Sequence, residues 1–193
     1  MSKDSIVAKA LELFSTKGYD GTSMEDIAKA VGIKKASIYA HFPGKEQIFT
    51  AAMQSVIDEY EAFTRTLTRM DEGEEPTRKL RDLFVRYVKY SCDNPKMEFW
   101  DRFYYHPPAF TAEAIRLLTR SIEHRLMSEI AEIVDRGVRR GEIVDKNVFD
   151  ITQSYYYMMV GLALATKFYE AAELEDVAGR SADVFLEGVR RRD

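Results

Sequence analysis

The sequence predicts an all-α fold, on three observations. Apolar residues return at steps of three and four along nearly the whole chain, the period of one face of an α-helix. No stretch shows a convincing strand pattern. Helix-breaking residues also fall where one apolar stripe ends and the next begins, at Gly18, Gly32, Pro76, Pro107, Pro108 and Gly141.

Taken in order, "SIVAKALELF" places Ile6, Val7, Ala10, Leu11 and Phe14 at helical spacing, with Gly18 as the stop. "TSMEDIAKAVG" offers two overlapping capping boxes, Thr22 with Glu25 and Ser23 with Asp26. The short helix that follows buries Ile27, Ala28 and Val31 and ends at Gly32, a residue suited to the left-handed turn. A third helix, Lys35 to Phe42, is barely two turns and depends on packing Ile38 and Phe42 against the first two. A long helix begins near Lys45 and carries one stripe through Phe49, Ala52, Val56, Tyr60, Phe63, Leu67 and Met70. After the charged loop "DEGEEP", Pro76 opens a helix that runs to about Asn94. The aromatic segment "MEFWDRFYYHPP" is a short helix stopped by its prolines. Thr111 to Arg140 is a long amphipathic helix ended by Gly141. Two further helices are expected at about 148–171 and 175–191.

The chain has 193 residues, 46% hydrophobic and 31% charged, which fits one globular domain or a small domain joined to a larger one. Its net charge of −4 gives no global hint of a nucleic-acid partner. The charge is uneven: residues 1–50 hold seven Lys/Arg against six Asp/Glu, and Lys34 to Lys45 form a local basic run. A single cysteine, Cys92, excludes a disulfide framework and is expected to act as a small buried hydrophobe. The N-terminus mixes acid and base among its apolar residues, unlike a signal peptide. The longest apolar run, Tyr155 to Ala165, is too short to cross a bilayer. The expected location is the cytoplasm, with no membrane partner.

The stretch "GIKKASIYAHFPGKEQIF" stands out in an acidic chain. Two short helices joined by a glycine turn, the second basic, describe a helix-turn-helix. Lysines neutralise phosphate charge and release counterions, hydroxyls donate to phosphate oxygens, and small residues such as Ala36 and Ala40 admit close approach to a groove. From pattern alone, a solvated lysine-rich face explains the same residues.

The residues from "GYDGTSMEDIAKAVG" onward resemble the N-terminal region of the TetR family of bacterial transcriptional regulators. The resemblance rests on Thr22-Ser23, Ile27-Ala28, Gly32-Ile33, Ile38-Tyr39, His41-Phe42 and Lys45-Glu46, and covers about the first 50 residues. It implies that Lys35, Ala36 and Ser37 meet base edges, and that Tyr39, Ala40 and His41 reach bases or the sugar-phosphate backbone. It further implies phosphate contacts from Lys45 and from Ser23 or Thr22. Lys34 departs from the pattern, standing where the family often has a capping residue. A lysine cannot accept the cap hydrogen bond and is assigned to donate to phosphate instead. The domain division implied is a DNA-binding domain at residues 1–46 and a helical ligand-binding and dimerisation domain at 47–193.

The remainder offers independent support for a pocket. Neighbouring helical residues point about 100° apart, so the aromatics of residues 97–110 and of "SYYYMMVG" cannot all face one core. Tyr60, Phe63, Trp100, Phe103, Tyr104, Phe110, Tyr155, Met158 and Met159 are the candidate lining of an effector site. Glu59, Glu98 or Asp101 beside such a pocket suits a lipophilic cation; a neutral aromatic or fatty-acyl molecule fits almost as well. Gly161, Ala163, Ala165, Val177, Val184, Phe185 and Val189 make the last two helices the expected homodimer contact. The expected function is a ligand-responsive regulator, a repressor by the family's usual sign, on palindromic double-stranded operator DNA. No cofactor and no metal are expected.

An enzyme is the first rival. His41, His106 and His124 are far apart in sequence, and a P-loop, a His-Glu-x-x-His and a dinucleotide glycine motif are absent. No catalytic residue is therefore assigned. The second rival is a DNA-binding structural or adaptor protein with no small-molecule effector, whose head would look the same.

Overall fold

In the computed structural model, residues 2–169 and 171–191 are described. The elements are α1 (Lys3–Lys17), α2 (Met24–Val31), α3 (Lys35–Tyr39), α4 (Lys45–Thr68), α5 (Pro76–Asp93), α6 (Lys96–Tyr105), α7 (Ala112–Arg139), α8 (Val148–Leu164) and α9 (Ala171–Val189). A 3-10 turn, Ala165–Phe168, follows α8. The only β-type pairing among the described residues is an isolated bridge between Ile143 and Arg190. The all-α expectation holds.

The chain forms two compact units: Met1–Glu61 with Pro95–Leu117, and Ala62–Asn94 with Leu118–Asp193. In the first, Ile6, Ala10 and Phe14 of α1 meet Ile27 and Ala28 of α2 in one core that also holds Ile38, Ile48 and Phe49, all nearly or wholly buried. Each such Ile or Phe stabilises the unit by about 1.5–3 kcal/mol. Val31 is only half-buried, at the edge of this core. The aromatic helix α6 packs on α1. Phe49 is ringed by Phe14 at 5.4 Å, Phe99 at 5.6 Å and Phe103 at 4.8 Å.

α3 is shorter than expected. Its helix ends at Tyr39, and Ala40 to Phe42 continue as a turn closed by His41 N and Phe42 N donating to the Ile38 carbonyl. Pro43 accounts for this, because a residue before proline is pushed out of the helical region. Phe42 is still buried.

In the second unit, α5 packs along α8 and α9. Leu80, Leu83, Phe84 and Val88 of α5 are buried, as are Tyr155 and Met159 of α8. On α9 the buried residues Leu174, Ala178 and Ala182 lie at steps of four, so small side chains bring its backbone close to α5. A Cβ on Gly179 would lie 3.2 Å from Arg81 Nη2. α8 stops at Leu164, well before the expected end near Ala171, and tightens into the 3-10 turn, which packs on α5. Such tightening is common at helix ends. Cys92, expected to be buried, is half-buried.

The segment "RRGEIV" explains how α7 gives way to α8. Gly141 takes φ +73°, the left-handed conformation, and ends α7. Glu142 then reaches the start of α5: its Oε2 accepts from Thr77 N at 3.3 Å and Thr77 Oγ1 at 3.2 Å. Glu75, at the N-cap of α5, makes no side-chain cap bond, so Glu142 supplies one from another part of the chain. Arg140 donates to the Glu74 carbonyl at 3.0 Å and pairs with Glu142 at 2.9 Å. Val144 N donates to Val189 O, and Arg191 N to Glu142 O, which tie the end of α9 to the same turn.

Candidate nucleic-acid interface

The turn between α2 and α3 is set from both ends. At the start of α2, Asp26 N donates to Ser23 Oγ at 3.1 Å and Ser23 N donates to Asp26 Oδ2 at 2.9 Å, a complete capping box. The Ser23 hydroxyl also donates to that carboxylate. These bonds from Ser23 hold the Asp26 carboxyl below its ordinary range, aided by the Lys17 ammonium 3.8 Å away. At the far end, Gly32 adopts φ 78° and ψ 33°, and its N–H donates to Ala28 O at 3.0 Å.

Of the two overlapping boxes the sequence offered, the structure forms the one on Ser23. Thr22 is 1% exposed, and its hydroxyl donates to Gly18 O at 2.8 Å. It fastens the turn after α1 from inside.

Beyond Gly32, Lys34, Lys35, Ala36, Ser37, Tyr39 and Ala40 are all exposed, and His41 is half-buried. Ile38 is the buried anchor of α3. Tyr39 is 50% exposed, a large ring left standing out from a five-residue helix. Lys34 is the N-cap of α3 and makes no side-chain cap bond. Lys3 contributes another cation near this surface, 5.8 Å from the Phe42 ring. Lys45, the first residue of α4, donates through Nζ to Tyr19 O at 2.7 Å. The resulting surface offers cations, a hydroxyl, an aromatic ring and two alanines, with no large aliphatic side chain. That composition suits a polyanion with stacked bases.

The nine aromatic and methionine residues marked for an effector site fall in both units. In the first, Tyr60 stacks on Trp100 at 5.7 Å, and Trp100 lies 6.0 Å from Tyr104. Glu59 is ion-paired with Lys96. Phe103 belongs to the Phe49 cluster, and Phe110 lies 5.0 Å from Tyr19. In the second, Phe63 stacks on Tyr90 at 3.7 Å. Tyr155 is wholly buried, donates to Leu80 O at 2.6 Å, and lies edge-on to Phe84 and Phe185. Burial pushes its phenol well above the ordinary tyrosine value. Met159 is buried and Met158 half-buried. Two clefts in the second unit, of about 340 and 300 Å³, are bordered by charged side chains such as Arg81, Asp183, Arg65 and Glu129. None of the nine residues lines either cleft.

Tyr19 and Glu142 are structural anchors that hydropathy spacing does not single out. Tyr19 lies outside the helices, and Glu142 acts on a helix 65 residues away. Only the "GY" and "RGE" patterns around them carry a trace in the sequence.

These features define an all-helical protein with an N-terminal helix-turn-helix. Residues 6–52 match the family described as bacterial regulatory proteins, tetR family. Over 56 residues the chain is 52% identical to IcaR of Staphylococcus aureus (strain Newman), a negative transcriptional regulator of the biofilm operon icaADBC. That match covers 29% of this chain and 30% of IcaR, so the chain aligns with under a third of that relative's length. The whole chain superposes on the TetR family regulator PfmR of Thermus thermophilus with TM-score 0.73 and 23% identity, covering 100% and 99% of the two chains. A TetR regulator from Chloroflexus aurantiacus gives TM-score 0.75 at 21% identity, covering 98% and 96%. The N-terminal region of this chain therefore matches the TetR family, and the chain as a whole shares the fold of TetR-family regulators. No helix among the described residues is long and apolar enough to cross a membrane.

Proposed function

We propose that the protein is a ligand-responsive transcriptional repressor that binds palindromic operator DNA as a homodimer and is released by a small hydrophobic or aromatic molecule. Residues 1–46 carry the DNA contacts in this reading, and residues 47–193 the effector and dimer functions. The observation that carries the DNA part is the exposed set from Lys34 to Ala40, presented by a buried Ile38 after a left-handed Gly32. Ser23, Lys34, Lys35, Ala36, Ser37, Tyr39, Ala40, His41 and Lys45 are the proposed contacts. Thr22 is left out because its buried hydroxyl is already used. The likeness of the head to a negative regulator supports the repressing sign.

Support for the dimer comes from exposed apolar side chains in the second unit. Phe149, Tyr157 and Leu164 share one face of α8, with Gly161 between the last two. Phe168 (84% exposed), Tyr169 and Val184 add to the exposed apolar surface. Selection of bound sequences from random duplexes, followed by mapping of occupied sites in the source genome, tests the reading. A palindromic site upstream of regulated genes is expected; no sequence enrichment in either experiment defeats it.

The close ring pairing of Tyr60 with Trp100 and Phe63 with Tyr90 favours a second reading, in which the same head serves a DNA-binding adaptor with no effector. A small molecule that raises the melting temperature and lowers operator affinity decides for the first.

A further inference from the structure

Lys45 is built into the fold in a way that an ordinary surface lysine is not. Its Nζ donates to the Tyr19 carbonyl at 2.7 Å and stands 4.0 Å from the centre of the Tyr19 ring. The ring is held in turn by Phe14 at 5.8 Å, Phe49 at 5.3 Å and Phe110 at 5.0 Å. Tyr19 therefore gives the ammonium two fixed points, one oxygen and one π face, backed by an aromatic cluster.

An ammonium has three N–H donors. The Tyr19 carbonyl takes one and leaves two, while the ring attracts the charge without consuming a donor. A mobile lysine loses rotamer freedom when it is fixed on a partner, and that loss weakens binding. Here the freedom is already lost on folding. We infer that Tyr19 is a positioning residue that holds the Lys45 ammonium ready for a DNA phosphate. The inference rests on the DNA-binding reading above and adds to it a residue that does not itself touch DNA.

The competing role of the same contact is sequestration, in which Tyr19 withholds the ammonium from DNA. The two roles predict opposite changes when the ring's attraction is removed.

The test uses the full chain and a mixed-sequence DNA duplex, because a phosphate contact acts regardless of base sequence. Tyr19 is replaced by phenylalanine or by pentafluorophenylalanine, which keep the shape of the ring while the second reverses its quadrupole. Each is made with Lys45 present and with Lys45→Ala, and melting curves check the fold. Lys45→Ala is expected to lower the salt slope by about one per head. Tyr19→Phe should bind like the parent. The fluorinated ring should weaken binding several-fold when Lys45 is present and leave it unchanged in the Lys45→Ala background. A parent protein that does not bind duplex DNA at low salt would sink the DNA-binding reading together with this inference. A parent that binds, with a fluorinated ring that strengthens binding or acts equally in both backgrounds, overturns the inference alone. So does Lys45→Ala with unchanged affinity and slope.

Discussion

Lys34 occupies the N-cap of α3, where a side-chain acceptor would normally meet the first free N–H groups. Its cation lies instead at the positive end of a helix dipole, which is locally unfavourable. Lys34→Ser restores an acceptor, so stability should rise by about 0.5–1 kcal/mol. Affinity for DNA should fall at the same time, with a shallower salt slope, because a phosphate partner is lost. Denaturant melts and salt-titrated binding on one variant read both signs. Lys35→Ala separates base reading from charge: a loss of about 1–3 kcal/mol on the selected site, larger than on random DNA, is expected if Lys35 meets a base edge. Asp26 gives a pH prediction. Its carboxyl is lowered chiefly by its hydrogen bonds with Ser23, so its contribution is complete above the ordinary aspartate value, near 3.8, and is lost as pH falls through the lower folded value. Asp26→Asn should flatten the acid limb of stability against pH while leaving the neutral helix content unchanged by circular dichroism.

At the scale of elements, the cap that Glu142 gives α5 is the clearest long-range dependence. Glu142→Ala leaves Thr77 N without that acceptor, and a loss of about 1 kcal/mol is expected. Urea denaturation with unchanged slope would read it. This dependence also marks the limit of what the sequence reveals. Helix ends written in local residues were legible: the Ser23–Asp26 box and Pro76 as starts, and Gly32 as a stop, all stand where spacing puts them. The choice between Thr22 and Ser23 was not, because two boxes overlap and only burial of Thr22 decides. The end of α8 was not legible either, since no glycine or proline sits there and the tightened turn packs on α5. Ring partners were the least legible. Spacing showed that consecutive tyrosines must diverge, but which ring each one meets is decided by other helices. The exposure of Lys35, Ala36, Ser37 and Tyr39 follows from how few residues of α3 are large and apolar.

For the whole molecule, dimerisation and effector response are the proposed functions that need more than one element. Phe185, an expected dimer residue in the sequence, lies 5.6 Å from the buried Tyr155 ring, so a charge there would damage the fold before it tested an interface. Val184 is 71% exposed and Tyr157 59%. Val184→Glu and Tyr157→Glu should therefore leave the helical signal intact and shift sedimentation from dimer to monomer. Operator affinity should fall with them, because a two-fold site needs two heads spaced about one DNA turn, ~34–36 Å, apart. The effector prediction follows from α4. Its 24 residues begin with Lys45 in the first unit and end with Thr68 in the second, about 36 Å of continuous helix at 1.5 Å per residue. A molecule that prefers one placement of this helix biases both of its ends, and a bias of ~1–3 kcal/mol changes DNA affinity from several-fold to about a hundredfold. Linkage makes the effect reciprocal: operator DNA must weaken the effector by the same factor. A ligand found by thermal shift should therefore bind more weakly when operator is present, measured by calorimetry on the free and DNA-bound protein. Equal affinities would remove the switch and leave the adaptor reading, even for a protein that binds its operator well.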